Sequence, residues 1–408
     1  MSSDPTSSQP RTSGNEPAAI LTPPQLRTAT SKRQRFCFGT LLTVVLVLIV
    51  LNVLVRLESE EVKVPADYGP AEIPAEPSFK GGSDQLKQTV VVPTLESPLA
   101  PDTSAIWCGT LAMAWQQAEK KVVKKPLVVL GEEETSRDLR KTPWPDLEPK
   151  DYYVAAGFYK DGIQERIRRE LAARFPKAPL PEIESSPMKS FMAYAYLEVA
   201  LRYEFQFQRN DEPFLFKDSR GNKTKVRAFG IREQDAKHGV DTYRAQVQVL
   251  FKEGGEFALD LSKRTRPYQI VLARMEPKPT LQAALAHLDN KIAAAKGQSQ
   301  LGEASVLLAP SMNWQIDHRF RNLEGKDLRH PPEHYLSKAS QFIHFKMDRK
   351  GAEVSSAALI NADWCGGFDG PNPYYIFDRP FLLLMKKRGS SQPFLVMWVA
   401  NAELLEPF

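Results

Sequence analysis

The chain has 408 residues, a formal net charge of +5 and three cysteines. Two or three average domains would fit that length, but the first hundred residues lack the apolar content to form one, so one folded body is expected. Three cysteines exclude a disulfide framework, and cations spread without a Lys/Arg stripe among aromatics argue against a nucleic-acid partner.

Residues 1–35 are rich in Ser, Thr and Pro with few large apolar side chains, the composition of a disordered tail. FCFGTLLTVVLVLIVLNVLV follows from Phe36 to Val55 without a charge, long enough as a helix to cross about 30 Å of hydrocarbon. We read 36–56 as one transmembrane helix. Lys32, Arg33 and Arg35 precede it and Glu58, Glu60 and Glu61 follow, which places the N-terminus in the cytoplasm and the body outside, at the cell membrane. A cleaved signal peptide is the competing reading; the late start, the length and the lack of a small-x-small site speak for an uncleaved anchor. Prolines at 65, 70, 74, 77, 93, 98 and 101 predict a semi-rigid extracytoplasmic stalk over 57–104. The body is then 105–408.

In the body, Trp107, Leu111, Ala114, Trp115 and Ala118 recur at helical spacing and predict a buried helix over 106–120. A strand over 152–159 and a helix over 163–175 follow. From Phe191 to Phe207 apolar and polar residues alternate, which predicts one long central strand or two joined by a bend. Alternation returns over 243–251, and Phe257, Leu259 and Leu261, then Tyr268 to Ala273, extend the β-rich run. Thr280 caps a helix bearing Leu281, Leu285, Leu288 and Ile292, and the apolar runs 381–385 and 394–400 read as a hairpin. The class is α+β with a large, mainly antiparallel sheet.

A catalytic reading finds little. No GxSxG, HExxH, Walker loop or helix-opening GxGxxG occurs. His330 to His334 matches H-x-x-E-H, but Pro331 and Pro332 break the helix that would put both imidazoles on one face, so no metal is expected. Ser311, Asp317 and His318 lack a third element to orient them as a triad. Asn222-Lys223-Thr224 fits a glycosylation acceptor in a turn. No enzymatic activity and no cofactor are expected.

One pairing rises above this background: the small-residue run GAEVSSAA from Gly351 to Ala358, then YIFDRPFLLLM from Tyr375 to Met385. A loop that stays in solvent has no need of small side chains; one that slides between strands does, because alternate side chains would strike what lies beneath. These residues resemble the serpin family. Tyr375, Phe377, Asp378, Arg379, Pro380, Phe381, Leu382, Leu383 and Met385 satisfy its C-terminal signature, and LSKASQFIHFKMDRKG resembles the strand feeding its reactive loop. AIWCGTLAMAW resembles its buried second helix, and AYAYLEVALRYEF its third main-sheet strand. The remaining segments follow in the family's order.

The resemblance implies a serpin-like body whose loop is bait for a serine or cysteine protease and, once cut, inserts as a new strand with the enzyme trapped. It makes Gly351, Ala352, Glu353, Val354, Ser355, Ser356, Ala357 and Ala358 the hinge. Counting forward puts the cleaved bond at Cys365-Gly366; counting back from Pro380 puts it near Asp369-Gly370. Cys108 and Cys365 are the one pair left for a disulfide, which would tether the loop. The chain departs from the family in Arg349, where Glu is usual, in the β-branched Val354, in the Gly- and Pro-rich DWCGGFDGPNP, and in a shortened 107–191 stretch. Two readings therefore stand: a membrane-anchored protease inhibitor, partnered by its target protease, and a non-inhibitory serpin-like binding or structural domain on a stalk. A monomeric body is expected under both.

Overall fold

The computed structural model describes residues 76–181, 187, 189–232, 241–295, 297, 299–302, 305–353 and 374–408. All fall within the compact unit Pro70–Phe408. No helix among the described residues is long and apolar enough to cross a membrane; the expected span at 36–56 lies outside them.

In chain order the strands are β1 (Phe79–Gly82), β2 (Thr89–Val91), β3 (Ser104–Cys108), β4 (Tyr152–Phe158), β5 (Phe191–Leu197), β6 (Ala200–Arg202), β7 (Gln208–Lys217) and β8 (Lys223–Ile231). They continue with β9 (Gln248–Glu253), β10 (Glu256–Asp260), β11 (Tyr268–Arg274), β12 (Ser299–Gln300), β13 (Val306–Pro310) and β14 (Met312–Arg319). The last are β15 (Ser340–Asp348), β16 (Gly351–Glu353), β17 (Tyr374–Ile376), β18 (Phe381–Lys387) and β19 (Pro393–Val399). The helices are α1 (Thr110–Ala118), α2 (Glu133–Lys141), α3 (Ile163–Arg174), α4 (Asp241–Ala245) and α5 (Leu281–Ala294).

The strands form an eight-stranded sheet ordered β12-β9-β10-β11-β18-β19-β3-β2, a five-stranded sheet β1-β14-β15-β16-β6, a four-stranded sheet β17-β13-β8-β7 and the pair β4-β5. Most ladders are antiparallel; β1 on β14, β2 on β3 and β17 on β13 are parallel. This is the α+β class that the pattern predicts. β18 and β19 read as near-continuous apolar runs because they lie mid-sheet with both faces covered. Leu383, Phe394 and Met397 enter the main core, while Leu382, Val396 and Trp398 meet Leu281, Ala284, Leu285 and Leu288 of α5. The Thr280 hydroxyl accepts from Ala283 N–H at 3.0 Å and caps α5, worth about 1 kcal/mol.

Three expectations need correction, and one open alternative is decided. Residues 76–104 are not stalk: β1 and β2 pair with the body, Asn401 Nδ2 donates to the Gln88 carbonyl at 2.7 Å, and Glu403 accepts the Lys87 and Gln88 N–H groups at 2.7 and 3.0 Å. The stretch between Pro77 and Pro93 is free of proline, so its backbone donors are available for ladders. The helix over 106–120 is strand β3 followed by α1. Ala105 and Trp107 enter one core cluster and Ile106 and Cys108 the other, a period of two; the helical spacing of Trp107 with Trp115 is coincidental. Of the two alternatives for 191–207, the structure has two strands joined by a bend: they lie in different sheets, and Glu198 N–H donates to the Asp151 carbonyl at 2.9 Å between them. The alternation over 243–251 is strand only from Gln248, because 241–245 form the short α4.

Candidate functional site

The region that the small-residue run points to lies where β15 turns back on itself. Met347 and Ile343 face the core on β15, and the chain reverses through Arg349 and Lys350 into β16. The turn is held from outside: Tyr203 N–H donates to the Lys350 carbonyl at 3.0 Å and Phe207 N–H to the Arg349 carbonyl at 2.8 Å. Lys350 N–H in turn donates to Asp348 Oδ1 at 2.7 Å.

β16 is seated between two strands. Its register sets Lys346, Glu353 and Ala200 in one row, Met347, Ala352 and Leu201 in the next, and Asp348, Gly351 and Arg202 in the third. The middle row points into the core, with Ala352 fully buried. A Cβ on Gly351 would run into the Leu201 carbonyl, so only glycine fits where the two backbones approach.

The opposite face carries charge. Lys346 pairs with Asp348 at 2.9 Å. Burial raises the Glu353 carboxyl above its ordinary range, with Lys346 and Arg202 pulling it back in part. Burial, aided by Lys346, lowers His344 to about 4, so that imidazole is neutral at physiological pH.

Beyond Glu353 the sheet divides. Among the described residues no ladder joins β15 to β5, although β6 reaches β15 through β16. Among the described residues the Ser340–Phe345 half of β15 has a ladder partner in β14 alone, and β5 has one in β4 alone. β5 and β4 are packed by α3, through Ile163, Ile167, Leu171 and Phe175 against Tyr153 and Ala155. Arg166 and Arg174 pin that helix by donating to the Ala156 carbonyl at 3.1 Å and the Tyr152 carbonyl at 2.7 Å. Gln341 Nε2 donates to the Cys108 carbonyl at 3.0 Å and to Thr110 Oγ1 at 2.6 Å, tying β15 to the start of α1. Its Oε1 is buried without a hydrogen-bond partner among the described residues.

The signature residues are brought together elsewhere, at the joint between the four- and eight-stranded sheets. Phe377 stacks edge-on against Phe257 and Phe381, with centroids 5.0 and 5.4 Å apart, and Tyr375 packs on Phe257 at 5.3 Å. Asp378 meets Arg274 at 3.4 Å, its carbonyl accepts from Lys217 N–H at 2.7 Å, and its other oxygen lies 3.7 Å from Arg379. Their arrangement is that of a packing hub.

Gly351, Ala352 and Glu353 are the part of the hinge that is described. Val354, Ser355, Ser356, Ala357 and Ala358, and the candidate bonds Cys365-Gly366 and Asp369-Gly370, lie outside the described residues. Cys108 is buried with a free thiol, pushed up by desolvation, and Cys365 also lies outside. His330 to His334 form turns, with Glu333 at φ 64, so the H-x-x-E-H residues share no helical face. Asp317 and His318 are adjacent on β14, and His318 Nδ1 meets Ser83 Oγ at 2.6 Å, while Ser311 sits buried beyond the strand's other end. Sequence reasoning missed Gln341 and the turn-holding Tyr203 and Phe207 amides, and weighed His334 only as a metal ligand.

No family model matches the chain, and no curated protein sequence matches it. Among solved structures, a thyroxine-binding globulin complex with thyroxine gives a TM-score of 0.43 at 12% identity, over 74% of this chain and 94% of that one. A human thyroxine-binding globulin complex gives a TM-score of 0.43 at 12% identity, over 74% of this chain and 93% of that one. At these values the similarity carries no argument about what this chain does.

Proposed function

We propose that this protein is a membrane-anchored, extracytoplasmic serpin-like inhibitor of serine or cysteine proteases, whose 354–373 segment is the bait and whose seat between β15 and β5 receives it as a strand. The observation that carries this reading is β16: Gly351, Ala352 and Glu353 lie as an antiparallel strand between β15 and β6, and among the described residues Ser340–Phe345 has no ladder on the side that β16 occupies. Continuing that register would set Val354 against Phe345, Ser356 against Ile343 and Ala358 against Gln341 on the core side, where small side chains are needed. The protein's own chemistry on this reading is none; the protease supplies it.

The test is incubation of the purified chain with a panel of serine and cysteine proteases, followed by denaturing electrophoresis. Inhibition gives a covalent complex that survives SDS. Cleavage without complex across the panel favours the second reading, a non-inhibitory serpin-like domain, for which Gly366, Gly367, Gly370, Pro371 and Pro373 in the bait speak, since such residues weaken or cannot join a ladder.

A further inference from the structure

The two parts that flank the seat are also joined at its far end, through one histidine. His334 lies in the hairpin that leads into β15, where its carbonyl accepts from Leu328 N–H at 2.8 Å and Tyr335 bridges to Asp327. Its Nε2 lies 3.1 Å from the Lys189 carbonyl oxygen, just before β5. Its Nδ1 lies 3.1 Å from the Pro332 carbonyl oxygen. The ring rests 6.2 Å from that of Phe191, the first residue of β5.

Both ring nitrogens thus face oxygens that only accept. A neutral imidazole has one N–H and satisfies one of them; the imidazolium donates to both at once. The geometry points to His334 as a proton-operated clasp at the foot of the seat. Protonated, it ties the start of β5 to the hairpin that feeds β15; deprotonated, it gives up one of the two bonds. Because the bond to Pro332 is local, a neutral imidazole divides its one N–H between that bond and the tie to Lys189. For its consequence the inference rests on the strand-insertion reading: acid strengthens the tie between the flanks and slows insertion, and neutral pH weakens it.

The charged and titratable groups on the segments it joins are Lys189 before β5 and Lys326, Asp327, Arg329, His330, Glu333 and Lys338 on its own hairpin. Lys326 is paired with Glu132 at 2.6 Å and Arg329 with Glu133 at 3.4 Å, so neither cation is available to replace the imidazolium.

Hydrogen exchange of the 189–197 segment in the full chain, held in detergent micelles, tests the clasp. Rates at about pH 5.5 and about pH 7.5 are corrected for intrinsic exchange. Protection is expected to be about three- to tenfold higher in acid, the scale of one charge-assisted hydrogen bond. His334→Phe keeps the ring against Phe191 and removes both donors, so it should erase the difference. No difference in the wild type, or one that persists in a folded His334→Phe, overturns the proposal. Should that variant not fold, imidazole nitrogen signals of the wild type decide: two slowly exchanging N–H protons in acid are expected, and exposed ones overturn it. If the exchange difference is present but cleaving the 354–373 loop leaves thermal unfolding unchanged, the insertion reading fails and the clasp stands.

Discussion

Three residues of β16 carry distinct loads. Gly351 is required by the approach of the Leu201 carbonyl, so Gly351→Ala must push β16 off β6, a loss of about 1–3 kcal/mol in thermal or denaturant unfolding. Ala352 sits fully buried between Met347 and Leu201, and Ala352→Arg places a charge in the core; the hairpin should become protease-sensitive at Lys350 and covalent trapping should vanish. Glu353 has a different signature. Its carboxyl is raised by burial, so its contribution to seating is present below the ordinary carboxylate range and is lost as pH rises through the raised value. Limited proteolysis of the hairpin across that window should show tighter seating in acid, and Glu353→Gln should remove the dependence; an unchanged profile would assign it to another group.

At the scale of elements, β15 is held on one flank by the β14 ladder and on the other by little more than Gln341 and β16 among the described residues. Gln341→Leu deprives the buried Cys108 carbonyl and Thr110 hydroxyl of their donor and should cost about 1–3 kcal/mol while raising hydrogen exchange in Ser340–Phe345. Much of this was legible in the sequence. The strands β4, β10 and β11 and the helices α3 and α5 follow from periodicity and a Thr cap, and β18 and β19, covered on both faces, from unbroken apolar runs on either side of a polar turn. β3 did not, since a strand buried on both faces shows no alternation and its two core clusters are not visible in one dimension. β1 and β2 were hidden by flanking prolines. The bend at Glu198 depends on the Asp151 carbonyl, a partner far away in the chain.

For the candidate site, Gly351 to Glu353 could be named from side-chain size alone, because a seat between strands admits little else. The contacts of Gln341 and His334 could not, since they are made to carbonyls of Cys108 and Lys189, which any sequence possesses. The signature from Tyr375 to Met385 was legible as a pattern, but its physical role, a ring cluster with Phe257 locking two sheets together, needed the three-dimensional neighbours.

Considering the molecule as a whole, the proposed order is cytoplasmic tail, membrane span, tether and body. Protease added outside intact cells should remove the body and leave the tail; full protection would contradict that topology. The central claim is that the seat at the head of which β16 lies accepts the rest of the loop. The most direct measurement is thermal unfolding of the purified chain before and after cleavage within 354–373. Insertion of a new strand predicts a large rise in unfolding temperature after the cut, and an unchanged or lower value would contradict the account.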